Sequence, residues 1–207
     1  MIVVHHLNNS RSQRILWLLE ELGLEYELVK HQRDAASNLA PPSLEAVHPL
    51  GKAPVVVDGD AVLIESGAII EYLARKYGGG RLWPADGTPE ALRHLQLMHY
   101  AEGSAMLPLM LKLYASRLGD AAAPLRPRID GEIARHLGWL DGLLEGREWF
   151  VGRALSAADV QLSFVIQAGR MLHGLDAQPR LAAFLERSRG RPAFQRAIER
   201  GGPFAFA

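Results

Sequence analysis

Apolar positions in the first 77 residues follow two rhythms. Ile2 to His6 is a short run rich in β-branched residues and predicts a strand. Ile15, Leu16, Leu18, Leu19 and Leu22 then recur at helical spacing, and Gly23 stands where a helix C-cap is wanted. Leu24 to Val29 predicts a second strand. Arg33 to Leu50 is broken by Pro41, Pro42 and Pro49 and reads as a loop with a short helical turn. Val55, Val56 and Val57 predict a third strand, Asp58-Gly59-Asp60 a tight hairpin turn, and Ala61 to Ile64 the returning strand. Ser66 is expected to N-cap a helix that carries Ile69, Ile70 and Leu73 and ends near Tyr77. The order is β-α-β, a loop, then β-β-α, an α/β unit.

The pattern changes after Gly78-Gly79-Gly80. Pro84, Gly87 and Pro89 mark 79–89 as a linker between a first domain at 1–78 and a second at 90–207. No strand is expected beyond it. Helical patterns cover 90–117, 125–146, 157–173, 179–189 and 192–200, an all-α unit. Ser156 and Asp159 have capping-box spacing ahead of Val160, Leu162, Phe164, Val165 and Ile166. The helix that follows is apolar nearly all round and is expected to be buried.

Composition narrows the function. Lys plus Arg is 23 and Asp plus Glu is 23 among 207 residues, so no basic excess favours nucleic acid. Cysteine is absent, which removes disulfides, thiolate metal sites and any thiol nucleophile of the chain itself. No apolar run reaches the ~18 uncharged residues of a membrane span, and no secretory signal is visible. A soluble cytoplasmic protein is the expectation. His5 and His6 point to opposite faces of a strand, and His94 and His99 share no helix face, so no metal is expected.

Three segments can carry chemistry. Ser10, in Asn8-Asn9-Ser10-Arg11-Ser12, lies at the entrance to the first helix. Helix N-terminal amides favour an anion, and a hydroxyl there can donate to a thiolate or oxyanion; a plain capping role for Ser10 or Ser12 is the competing reading. In His48-Pro49-Leu50-Gly51-Lys52-Ala53-Pro54, a proline opens a strand, where a cis bond is affordable. The Ala53 backbone would then be free to pair with an extended peptide, with Lys52 beside it for a carboxylate. Glu65 and Ser66 suit an amino-acid head, the acid for its ammonium and the helix start for its carboxylate; a cap preceded by an acid is the alternative. Glu20-Glu21 reads as a solvated helix face. Gly103, Met106, Met110 and Tyr114 form a stripe at helical spacing, either core or an adaptable apolar pocket.

Taken together, Asn9-Ser10-Arg11-Ser12-Gln13-Arg14, His48 to Pro54, Glu65-Ser66 and Ser156 to Asp159 resemble the cytosolic glutathione transferases over nearly the whole chain. Arg33-Asp34-Ala35, Ala40-Pro41-Pro42 and His48-Pro49-Leu50-Gly51 look most like a bacterial and fungal branch of that family. The resemblance implies a thioredoxin-like N-terminal domain that binds glutathione and an all-helical C-terminal domain that supplies an electrophile pocket. It implies Ser10 as the catalytic serine and Lys52 near the glycine carboxylate of glutathione. Ala53 and the cis residue Pro54 would meet the cysteinyl unit, and Glu65 and Ser66 the γ-glutamyl head. Arg11, Gly103, Met106, Met110 and Tyr114 are the candidate pocket residues. No Tyr occurs before Tyr26 and no Cys at all, so the tyrosine- and cysteine-using classes do not fit. The thiolate donor is Ser10, Ser12 or an Asn amide.

The implied activity is attack of the glutathione thiolate on a small hydrophobic electrophile, with reduction of organic hydroperoxides as a related outcome. Glutathione is the co-substrate and the protein a homodimer that binds neither nucleic acid nor membrane. The rival reading is a non-catalytic binding or interaction protein on the same scaffold.

Overall fold

The computed structural model describes residues 1–206. They form two compact units, one joining Met1–Trp83 to Arg189–Ala205, the other spanning Pro84–Ser188 together with Phe206.

The first unit is built on strands β1 (Ile2–Leu7), β2 (Tyr26–His31), β3 (Val55–Asp58) and β4 (Ala61–Leu63). Their order across the sheet is β2-β1-β3-β4. β1 runs parallel to β2, and β3 is antiparallel to both β1 and β4. Helix α1 (Ser12–Leu22) makes the crossover that a parallel pair requires. It stops where Gly23 adopts φ 67 and its amide returns to the Glu20 and Leu19 carbonyls. The short α2 (Pro42–Glu45) and α3 (Ser66–Tyr77) complete the α/β pattern. This is the thioredoxin-like arrangement expected from the sequence.

Strand alternation sorts the side chains. Val4 and its cross-strand partner Val56 are both fully buried on one face. On the other face Leu7 and Val55 pack with Leu44 of α2. His6 turns to the α1 side, and His5 to the α2 side, where it meets His31 at 3.1 Å and His31 meets Ser43 at 2.9 Å.

Two expectations need correction. The sequence pattern puts residues 192–200 in the helical domain, but α9 (Pro192–Gly201) packs on α1. Trp17 meets Phe194 edge-on at 5.2 Å. Glu20 and Glu21, expected to be solvated, are the acids of that contact. Arg191 reaches Glu21 at 2.5 Å and 2.9 Å, while Arg196 and Arg200 reach Glu20 at 2.8 Å and 3.2 Å. Arginine's length and fork make this possible from a neighbouring helix.

The second unit holds α4 (Pro89–Tyr100), α5 (Met106–Ala115), α6 (Arg126–Leu143), α7 (Ala157–Leu172) and α8 (Pro179–Arg189). α7 is its centre, buried at every residue from Ala157 to Gly169. The single helix expected over 90–117 is two, joined by a π-helical turn at Ala101–Ala105. Pro108 explains it: a proline lacks the amide that would bond the Ser104 carbonyl, so the ladder shifts register just before it. Among the described residues no helix is long and apolar enough to cross a membrane.

Candidate functional site

Sheet register alone gathers three loops. The end of β1 lies beside the start of β3, since His5 pairs with Val55. The end of β4 lies beside that same start, since Leu63 pairs with Val56. The loops carrying Ser10, Ala53-Pro54 and Glu65-Ser66 therefore leave the sheet at one end.

At the first loop, Ser10 and Ser12 are both buried, at 7% and 0% exposure. Their hydroxyl oxygens are 2.7 Å apart, and the Ser12 amide donates to Ser10 Oγ at 3.2 Å. Ser12 Oγ is 2.8 Å from His6 Nδ1 and also receives the Leu7 amide at 3.2 Å. Burial, with Lys30 adding to it, pushes the His6 imidazole down to about 4. The ring is thus neutral at pH 7. Asn9 takes a left-handed φ of 50, tolerated by its short amide side chain. Arg33 clasps this loop, giving its amide to Asn8 Oδ1 at 2.8 Å and its Nε to the Asn8 carbonyl at 3.1 Å. Burial and the neighbouring Arg11 push the Arg33 guanidinium down from its usual range. The Ala205 amide donates to Asn9 Oδ1 at 2.7 Å.

At the second loop the Ala53–Pro54 bond is cis. Pro54 is buried, Ala53 half-buried and Lys52 exposed, so the cation faces solvent while the proline ring anchors the loop. At the third, Glu65 holds φ 64, a left-handed value that a non-glycine residue adopts only when its surroundings fix it. Ser66 is not the N-cap expected of it. Glu65 occupies that position, and Ser66 opens the helix with its hydroxyl accepting from Arg14 Nη2. That bond ties the start of α3 to the first turn of α1. The arrangement offers an anion the amides of two helix starts, a hydroxyl pair, a lysine, and an acid for a cation.

Comparison with known proteins shows the family. A family profile described as "Glutathione S-transferase, N-terminal domain" matches residues 1–75, and one described as "Glutathione S-transferase, C-terminal domain" matches 112–200. Glutathione S-transferase 3 of Schizosaccharomyces pombe is 36% identical over 187 residues, 82% of this chain and 75% of the relative. The chain belongs to the glutathione S-transferase family. Glutathione S-transferase 1 of Saccharomyces cerevisiae is 31% identical over 81% of this chain and 80% of its own length. The crystal structure of a glutathione S-transferase from Actinobacillus pleuropneumoniae has a TM-score of 0.91 at 35% identity, over 100% of this chain and 95% of that one. A glutathione transferase family member from Pseudomonas fluorescens, solved with two glutathione bound, has a TM-score of 0.81 at 28% identity, over 96% and 92% of the two chains. By these named relatives and the two domain matches, the chain is a glutathione transferase.

In this transferase Ser10, Lys52, Ala53, Pro54, Glu65 and Ser66 lie on the loops at one end of the sheet. Arg11 is half-buried between the two serines. In the second unit Gly103 lies in the π-helical turn and is exposed, Met106 is buried at 2%, Met110 is half-buried and Tyr114 is 57% exposed. The even helical stripe of the sequence is therefore broken between Gly103 and Met106. Ser156 and Asp159 form the expected capping box: Asp159 receives the Ser156 amide at 2.8 Å and the Phe150 amide at 2.8 Å. Sequence reasoning weighed His6 only as a metal ligand and missed its contact with Ser12. The signal was there: a histidine on the same strand face as Val4, six residues before a serine. Arg33 and the tail residue Ala205 gave no local pattern, because their partners are far away along the chain.

Proposed function

We propose that this transferase belongs to the serine-type bacterial and fungal branch. It holds glutathione in its first unit and directs the thiolate at small hydrophobic electrophiles. Organic hydroperoxides are a second class of acceptor. The observation that carries this reading is the convergence of Ser10, Ala53-Pro54 and Ser66 at one end of the sheet, with Arg14 linking the two helix starts. The fungal relatives and the bacterial structural neighbours support the branch.

Ser10 donates to the sulfur. A free thiol with a pKa of ~8.5 is only a few per cent ionised at pH 7. Lowering it by about two units needs ~2.7 kcal/mol. A hydroxyl bond to a charged sulfur at ~1.5–3 kcal/mol, with a helix dipole at up to ~1 kcal/mol, is enough. Neither a metal nor a general base is needed. Lys52 meets the glycine carboxylate, the Ala53 backbone pairs with the cysteinyl unit as an added strand against Pro54, and Glu65 with Ser66 holds the γ-glutamyl head. Residues 1–78, with α9 packed on α1, thus form the glutathione-binding domain, 79–89 the linker, and 90–188 the source of the electrophile surface, with Gly103, Met106, Met110 and Tyr114 in that role and Arg11 facing the reacting group. The working form is a cytoplasmic homodimer.

Retention on immobilised glutathione, followed by turnover on a panel of aryl halides, epoxides and hydroperoxides, tests the reading. Binding with turnover supports it. Binding with no turnover on any acceptor favours a non-catalytic binding protein, and failure to bind removes the glutathione site.

A further inference from the structure

We infer that His6 is a positioning residue for the thiolate site: through Ser12 it holds the Ser10 hydroxyl at the mouth of α1. The inference rests on the reading of Ser10 as the group that donates to the sulfur.

The Gly201 backbone, at the end of α9, hydrogen-bonds the His6 ring, and its effect on the ring is that of an acceptor favouring the protonated donor. A carbonyl can only accept, so the ring nitrogen facing it carries the hydrogen. His6 Nδ1 faces Ser12 Oγ at 2.8 Å, which leaves Nε2 for Gly201. The neutral ring has a single N–H, so Nδ1 is an acceptor and takes the Ser12 proton. The other receiver within reach, the Leu7 carbonyl at 3.2 Å, also draws that proton inward. Ser12 Oγ then has two lone pairs to offer. One receives the Leu7 amide at 3.2 Å, the other the Ser10 hydroxyl at 2.7 Å. Ser12 is saturated and its proton is committed to the interior. With no anion at the site the Ser10 proton rests on Ser12; because the Ser12 proton goes inward, the Ser10 proton is the one of the pair that can turn outward to a sulfur, and the Ser10 oxygen stays held by the Ser12 amide at 3.2 Å.

The chain of contacts also shows why His6 is not the base. An imidazole pushed down to about 4 by burial cannot keep a proton taken from a thiol of pKa ~8.5. The ring works by fixing the direction of two hydroxyls. Its own place is set by close packing: a Cβ on Gly201 would stand 2.6 Å from Gln13 Oε1 and 3.4 Å from His6 Cε1.

Two substitutions separate positioning from bulk. His6→Asn keeps a polar atom where Nδ1 was, while His6→Gln puts its amide where Nε2 was and leaves Ser12 without its acceptor. Both remove the ring, so both lose comparable packing. The full-length protein is titrated with glutathione bound, following thiolate absorbance, and kcat and KM are measured across pH. In His6→Gln the bound thiol pKa should rise by about one unit, and kcat at neutral pH should fall roughly tenfold with KM for glutathione nearly unchanged. The deficit should close at alkaline pH, where the thiol ionises unaided, and His6→Asn should recover most of it. Equal behaviour of the two variants, or a kcat loss that persists at alkaline pH, overturns the inference. If His6→Gln does not fold, Ser12→Ala takes its place with the same rise expected, and an unchanged thiol pKa is then the contrary result. A wild-type protein whose bound thiol titrates as free glutathione does instead removes the role of Ser10, and the inference with it.

Discussion

The starts of α1 and α7 look alike in sequence and do opposite things. Each has a serine followed three residues later by a side chain able to close a capping box: Ser10 with Gln13, Ser156 with Asp159. At α7 the box closes. Asp159 is fully buried and takes the Phe150 and Ser156 amides, and the Ala158 amide goes to His94 Nε2 at 3.2 Å. At α1 it does not close, because the Gln13 amide is buried with neither of its polar atoms bonded. The N-cap position falls on Arg11, without a side-chain cap. A helix start closed by a buried carboxylate is a folding element; at α1 the Ser12 and Gln13 amides turn back to the neutral Ser10 instead, so no negative charge occupies the positive end of the helix and an anion can be served there.

Asp159→Ala breaks the closed start. It strands two buried amides, so the protein should lose about 3 kcal/mol in chemical denaturation while the surviving folded fraction keeps its KM for glutathione. A large KM change would mean that α7 also serves the site. Ser10→Ala breaks the open start and should do the reverse: kcat/KM for conjugation falls roughly 10- to 100-fold with little change in denaturation midpoint. If Ser12→Ala or Asn9→Ala carries that loss and Ser10→Ala does not, the donor has been misassigned. Ser66→Ala probes the second open start. Removing the hydroxyl that Arg14 holds should raise KM for glutathione by roughly tenfold and leave kcat within about twofold.

Acid sharpens the same contrast. Burial pushes His6 down to about 4, and His5 and His31 are also held below the ordinary histidine value, burial being the main cause in each. The unfolded chain binds these protons first, so the stability they contribute is complete above pH ~6.5 and is lost as the pH falls toward 4. Asp159 has the opposite sign: burial pushes it up to about 6, so its folded form gains protons, and stability, as pH drops below that value. Three groups against one predict a melting temperature that falls by several degrees between pH 7 and pH 5. The fall should shrink in His6→Gln, and a fall of undiminished size in that variant would place its origin elsewhere.

Much of the fold was legible because its signals are local. The Val55–Val57 run, the Asp58-Gly59 turn, Gly23 as a helix stop and the capping box each act within a few residues. The candidate site residues were legible for a different reason, as a set of motifs in family order. What escaped depends on partners far along the chain. Glu20 and Glu21 look solvated until α9 and the Arg191 just before it supply arginines far along the chain. Ser66 looks like a cap until Arg14 claims its hydroxyl. His6 looks idle until α1 and α9 both reach it. The π-helical turn lay hidden because Pro108 acts four residues upstream of itself, inside an otherwise regular helical pattern.

Whether the start of α1 keeps a sulfur ionised decides the role of Ser10. Ultraviolet titration of glutathione bound to the wild-type protein and to Ser10→Ala reads this directly. A bound thiol about two units below ~8.5 in the wild type, returning most of the way in the variant, is the predicted result. The same low value in both proteins, or no lowering in either, would contradict it.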